Sequence, residues 1–146
     1  MTLAEKEKAL SAEFAGLRDS QARLARVIEL GRRHPPLAGT QRIDVNHVEG
    51  CLARLWIVCE MRAGLCHFAC DSDSAVVKGI AALQCEFYSG ERAATVLAAE
   101  PTFLAKIGLT QGLTANRRNA LTRVRERILA FAQRQLQPPE DLTRSG

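Results

Sequence analysis

Residues 54–72 constrain the fold more than any other stretch. The run 54–61 (RLWIVCEM) is dense in β-branched and aromatic residues, 62–64 (RAG) supply a turn, and 65–70 (LCHFAC) return. A strand-like run and a returning run joined by a short glycine-containing turn predict an antiparallel hairpin. A short strand over 45–48 is expected to join it, which makes a small sheet of about three strands. Helical patterns stand on both sides. Leu10, Phe14 and Leu17 recur at helical spacing and predict a helix over 2–18. Asp19 or Ser20 is placed to cap a second, with Leu24, Val27, Ile28 and Leu30 on one face. Gly31 reads as the residue just past its end, and Pro35 and Pro36 forbid its continuation.

Beyond the hairpin, Asp71, Ser72 and Asp73 offer capping oxygens for a helix running to Tyr88, with Gly90 closing it. Its apolar face is Val76, Val77, Ile80, Leu83 and Phe87, and the interior Gly79 implies close packing against another element. Short helices follow over 91–99 and from Pro101 to Ile107. Thr114 caps a last helix that turns Leu121, Val124, Ile128 and Phe131 inward. Residues 137–146 are polar, contain Pro138 and Pro139, and read as a tail after one domain over 1–136. The expected class is α+β: a small antiparallel sheet packed against several helices.

At 146 residues and 47% apolar composition, the chain buries a core without disulfides or metal. Its beginning mixes Glu5 and Glu7 with Lys6 and Lys8, unlike a secretory signal, and no apolar run is long enough to span a bilayer. A cytoplasmic location is the expectation. The net charge of +4 lies entirely at the C-terminal end. Residues 1–114 carry 13 basic and 13 acidic side chains, whereas 115–146 carry seven Arg against Glu126, Glu140 and Asp141. An Arg-rich last helix reads as a solvated face, or as a surface for nucleic acid or an acidic partner.

Five cysteines, an odd number without a signal peptide, do not suggest a disulfide framework. Four fall within or at the ends of regular elements: Cys59, Cys66, Cys70 and Cys85. Cys51 differs. It follows Gly50 at a loop-to-strand junction, where glycine permits a tight turn and the sulfur is presented on a loop. Position alone makes Cys51 the candidate reactive thiol among several readings. Cys66, His67 and Cys70 are at most half a zinc site, and neighbours on a strand point to opposite faces. His47, four residues before Cys51, is the base a small cysteine hydrolase would need. No phosphate-binding glycine loop or nucleophile elbow occurs.

Several strings together carry a resemblance. Residues 27–31 (VIELG) with 32–37 (RRHPPL), then 46–51 (NHVEGC) with 55–58 (LWIV), then 71–73 (DSD) with 75–79 (AVVKG), and finally 109–114 (LTQGLT) with Arg117, resemble the SufE-type sulfur-acceptor family in order and spacing. The resemblance covers 17–131 and implies a compact fold shared with NifU-type scaffolds. It implies that Cys51 accepts persulfide sulfur from a pyridoxal-phosphate-dependent cysteine desulfurase, stimulates that enzyme, and passes sulfur toward an iron–sulfur scaffold. It implies no stand-alone turnover, no cofactor or metal held by this chain, and neither nucleic acid nor membrane as partner. Leu52 and Ala53 depart from the family, which commonly places Gln or Glu and then Ser or Asn after the cysteine. Leu52, Ala53 and Leu55 are expected to shield the sulfur, and Glu49 and that apolar setting to keep the thiol protonated.

Overall fold

A computed structural model of the chain describes residues 1–99 and 103–137. Helix α1, Leu3–Ala15, starts one residue later than expected, because Thr2 caps it. The Glu5 amide donates to Thr2 Oγ1 at 3.1 Å and the Thr2 amide donates to Glu5 Oε1 at 3.0 Å, so two end donors are satisfied reciprocally. Helix α2, Ser20–Arg33, is capped by Asp19, whose Oδ1 accepts from the Ala22 amide at 2.7 Å.

Strands β1, Leu55–Arg62, and β2, Leu65–Ser72, pair antiparallel from Leu55 opposite Ser72 to Arg62 opposite Leu65. Only Ala63 and Gly64 lie between them, at φ 53° and 79°. Both are left-handed, the geometry whose twist matches a two-residue hairpin. Leu55, Ile57, Cys66, Phe68 and Cys70 are buried, whereas His67 and Ala69 are half-exposed, so one face packs inward.

That face covers helix α3, Ala75–Tyr88, which is buried over most of its length. Its cap is Ser74, whose Oγ accepts from the Val77 amide at 3.3 Å. The expected capping residues Asp71 and Ser72 instead end β2. Asp71 is buried, and its carboxylate accepts from the Leu37 amide at 3.0 Å and from Arg42 at 2.6 Å. Burial opposes its charge, but these donors, the Ser72 amide and Lys78 outweigh burial and hold the carboxyl below its ordinary range. Asp71 thereby ties the loop after α2 to the end of the hairpin.

Helices α4, Ala93–Ala98, and α5, Phe103–Lys106, lead to α6, Ala115–Leu136, capped by Thr114. Pro101 and the tail beyond Gln137 lie outside the described residues. Among the described helices none is long and apolar enough to cross a membrane.

Two expectations are corrected. Gly31 does not end α2, which continues to Arg33 and is capped by His34. It lies where α2 and α3 touch backbone to backbone. A Cβ on Gly31 would sit 2.8 Å from Gly79 Cα, and one on Gly79 would overlap the Val27 carbonyl oxygen. The glycines are there for proximity, not for a left-handed turn. Second, among the described residues the sheet has two strands rather than three. Asp44–Asn46 form a 3₁₀ turn, and only His47 bridges to Trp56. The Val45 and His47 carbonyls, which a further strand would use for pairing, are taken by Arg127 of α6 at 3.0 and 2.9 Å.

The helix contact yields a measurable consequence. Ala in place of an interior helical Gly gains about 1 kcal/mol of propensity, but at Gly79 the methyl has no room. Gly79→Ala is expected to destabilise the protein by about 2–3 kcal/mol, overpacking outweighing propensity. Gly39→Ala, where nothing lies within 4 Å, is expected to be near neutral. Urea unfolding of the two variants checks this, and a Gly79→Ala protein as stable as the parent contradicts the close contact.

Candidate functional site

Cys51 sits on a loop pinned at both ends. On one side the buried Val48 donates its amide to the Leu55 carbonyl at 2.8 Å. On the other, the Arg54 amide donates to Asp73 Oδ1 at 3.0 Å, while the Arg54 carbonyl accepts from Ser72 Oγ at 2.5 Å and from the Asp73 amide at 3.3 Å. Between these anchors Gly50 takes φ +85°, a conformation unfavourable for residues with a Cβ. The turn there delivers Cys51 half-buried against the edge of the core.

A stripe on α6 carries the same loop. Asn119 Nδ2 donates to the Gly50 carbonyl at 2.7 Å. The Arg123 guanidinium lies over Gly50, where an added Cβ would meet Nε at 3.2 Å and Nη2 at 3.4 Å. Arg127 donates to the Val45 and His47 carbonyls. Residues spaced four apart share one helix face, and eight residues of helix extend about 12 Å. One face of α6 therefore holds the loop from Val45 to Gly50. These three residues were not singled out by sequence reasoning. Their signal, a polar i, i+4, i+8 series, was merged into the general excess of Arg on this helix, which reads equally as solvated surface.

The electrostatics at the sulfur differ in part from expectation. Burial pushes the Cys51 thiol up, and the nearby charge that acts on it is Arg123, which pulls it down. Burial wins, so the thiol stays protonated at neutral pH. The expected opposing role of Glu49 is not seen: its carboxylate points outward and pairs with His47 Nδ1 at 3.3 Å. Nor does Leu52 shield the sulfur, since it is 84% exposed. Cys51 is instead half-buried against the core cluster that holds Leu55 and onto which Ala53 also packs. Leu52 instead stands beside Cys51 as an outward apolar side chain, with Val45 and Ile43 also exposed on the preceding segment.

The other candidates are placed elsewhere. The His47 ring meets Glu49 and packs edge-on against Trp56 at 6.1 Å, and among the described residues no hydrogen bond joins it to Cys51. Cys66 faces the core and His67 the opposite side of the strand, and no group of three or more possible metal ligands occurs among the described residues. Cys66, Cys70 and Cys85 are buried, and burial pushes the half-buried Cys59 up to about 11. Cys70 is drawn down by the Cys85 thiol and by His34. His34 Nε2 accepts from the Cys70 amide at 3.2 Å and Nδ1 faces Glu86 at 2.8 Å, a cluster that joins α2, β2 and α3. With both sulfurs fully enclosed, that acidity is not available to an outside reactant. A cavity of about 420 Å³ near His34, lined also by Pro36, Glu60, Arg62 and His67, does not include the Cys51 loop.

The family model "SufE: Fe-S metabolism associated domain" matches residues 8–132. An uncharacterized SufE-like protein of Rhizobium etli is 34% identical over 80% of this chain and 82% of the relative. One from Rhizobium meliloti is 31% identical over 85% of this chain and 92% of the relative. The SufE-like protein 1, chloroplastic/mitochondrial, of Arabidopsis thaliana is 31% identical over 74% of this chain, which corresponds to 29% of that longer protein. A solution structure of a hypothetical protein from Thermus thermophilus shares the fold, with a TM-score of 0.71, 20% identity, and coverage of 93% of this chain and 98% of that one.

The clamp on the loop predicts the reactivity of its thiol. At neutral pH Cys51 is expected to react with iodoacetamide more slowly than the same cysteine in a free peptide of residues 46–56. Arg127→Met removes two charge-assisted bonds to the loop and is expected to raise the rate several-fold, with a stability loss of about 1–3 kcal/mol. Equal rates for peptide, parent and variant contradict the clamp.

Proposed function

The chain belongs to the SufE family, whose domain is associated with Fe–S metabolism, and from that premise we propose that it is a sulfur acceptor working through Cys51. The observation that carries the reading is the contrast among the five thiols. Cys66, Cys70 and Cys85 are buried and Cys59 lies within β1, whereas Cys51 alone sits on a loop, half-exposed, with a built support beneath it. The matched family region spans the whole of that support, from α1 to Ala132 on α6.

The chemistry asks little else of the chain. Cys51, as thiolate, attacks the outer sulfur of a donor cysteine persulfide; the bond from Cys51 Sγ to that sulfur forms, the donor's S–S bond breaks, and the donor leaves as a thiolate. One sulfur atom moves, with no net oxidation and no cofactor on the acceptor. The donor in this proposal is a pyridoxal-phosphate-dependent cysteine desulfurase, stimulated when its persulfide is cleared, and the recipient is an iron–sulfur scaffold. A protonated, half-covered resting thiol suits such a carrier. It resists stray oxidation, which follows thiolate character and exposure. The desulfurase would draw the loop outward by binding its extended form better than its seated one. Leu52, next to Cys51 in the chain, and the exposed Val45 and Ile43 on the preceding segment give that partner apolar surface.

Cys51→Ser is expected to abolish the stimulation of sulfide release by a cysteine desulfurase. Cys59→Ser, Cys66→Ser, Cys70→Ser and Cys85→Ala are expected to keep it, with losses confined to packing costs of about 1–3 kcal/mol. Full stimulation by Cys51→Ser contradicts the assignment.

A further inference from the structure

The α6 stripe treats its three members unequally. Asn119 gives its amide to the Gly50 carbonyl, and Arg127 gives both terminal nitrogens to loop carbonyls. Arg123 gives none of its donors to the loop backbone: among the described residues its acceptor is Glu126, one helical turn on, at the long distance of 3.5 Å. Yet its guanidinium rests on Gly50, next to Cys51, at a distance that a Cβ on residue 50 would crowd. It is also the charge that acts on the Cys51 sulfur. The other charged groups nearby are engaged or turned away. Glu49 is exposed and pairs with His47, Arg127 is spent on the Val45 and His47 carbonyls, and Glu126 sits beside Arg123 at the surface.

Holding a resting thiol does not need a cation with spare donors, because that thiol is protonated. Holding a persulfide does. Cys51–S–SH is a stronger acid than the parent thiol, since the charge left on the outer sulfur is stabilised by its sulfur neighbour. At neutral pH loading therefore converts a neutral side chain into an anion, the proton passing to water. We propose that Arg123 is the anion-binding residue of the sulfur-loaded form, its free guanidinium donors pairing with the outer sulfur of the Cys51 persulfide while Gly50 leaves room for the approach. This rests on the acceptor role of Cys51 and adds what retains the sulfur afterward. The paired anion is a poorer target for passing thiols than the neutral persulfide, whose outer sulfur is more readily attacked. Removing Arg123 is then expected to shorten the life of the load without removing the ability to take it up.

The test loads the full chain with inorganic polysulfide, which needs no desulfurase, and maps the sulfur to Cys51 by peptide mass spectrometry. The near-ultraviolet absorbance of the persulfide anion is followed against pH for the parent, Arg123→Gln and Arg123→Lys. A nearby opposite charge lowers an acid's midpoint, so Arg123→Gln is expected to raise it by about one pH unit, with Arg123→Lys restoring most of the difference. Loss of sulfur to added dithiothreitol at neutral pH is expected to be several-fold faster in Arg123→Gln. Because loop support comes from Asn119 and Arg127, thermal unfolding of the unloaded variants is expected to match the parent. A midpoint unmoved in Arg123→Gln overturns the role of Arg123 while leaving the acceptor reading intact. A parent chain that loads from polysulfide but never from a desulfurase overturns the acceptor reading instead, the titration still deciding whether Arg123 binds the anion.

Discussion

Everything in this molecule is arranged around a helix with almost no free surface. Helix α3 is covered by the hairpin, by α2 and by α6, and its approach to α2 is so close that Gly79 and the Val27 carbonyl leave no space for a methyl group. That contact sets how near the two helices lie, and the apolar side chains around it fill the remaining volume. On another side, Gln84 of α3, fully enclosed, donates to the Leu121 carbonyl of α6 at 3.0 Å. A buried amide costs stability unless paired, so this bond favours one placement of α6 along α3. The same placement turns Asn119, Arg123 and Arg127 toward the Cys51 loop. The chemistry of the loop thus depends on packing in the interior.

Much of this was legible in the residues. The β-branched and aromatic run before Gly64 and the returning run after it specify the hairpin because alternation along each strand leaves one apolar face. Thr114 and Asp19 cap as their side chains allow. What failed did so for tertiary reasons. Gly31 carries the local signature of a helix end, yet a glycine admitted for closeness looks identical in sequence to one admitted for a left-handed turn. Asp71 looked like a cap, but a carboxylate that meets Leu37 and Arg42 from a distant loop is decided by the fold. Segment 45–48 has strand-like residues, and only a side chain some 80 positions away in the chain diverts its carbonyls.

The site shows the same division. The loop position of Cys51 follows from Gly50 and from the strand that begins at Leu55. Its electrostatics did not follow from neighbours in sequence: Glu49, the adjacent acid, turns away, while Arg123, far along the chain, sits over Gly50. The balance that results is coherent for a carrier. Burial keeps the thiol protonated, and Arg123 stands beside it with donors to spare, as the proposed anion-binding role requires. Leu52, exposed beside Cys51 in the chain, takes no part in shielding.

The central claim is that sulfur arrives on one particular atom of this chain. Incubation of the unmodified protein with a cysteine desulfurase and cysteine, followed by proteolysis and mass spectrometry without reduction, measures it directly. The account predicts the added mass of one sulfur atom on the peptide holding Cys51 and on no other cysteine peptide. Sulfur found on Cys59, Cys66, Cys70 or Cys85 with Cys51 unmodified, or no added mass anywhere, would contradict it.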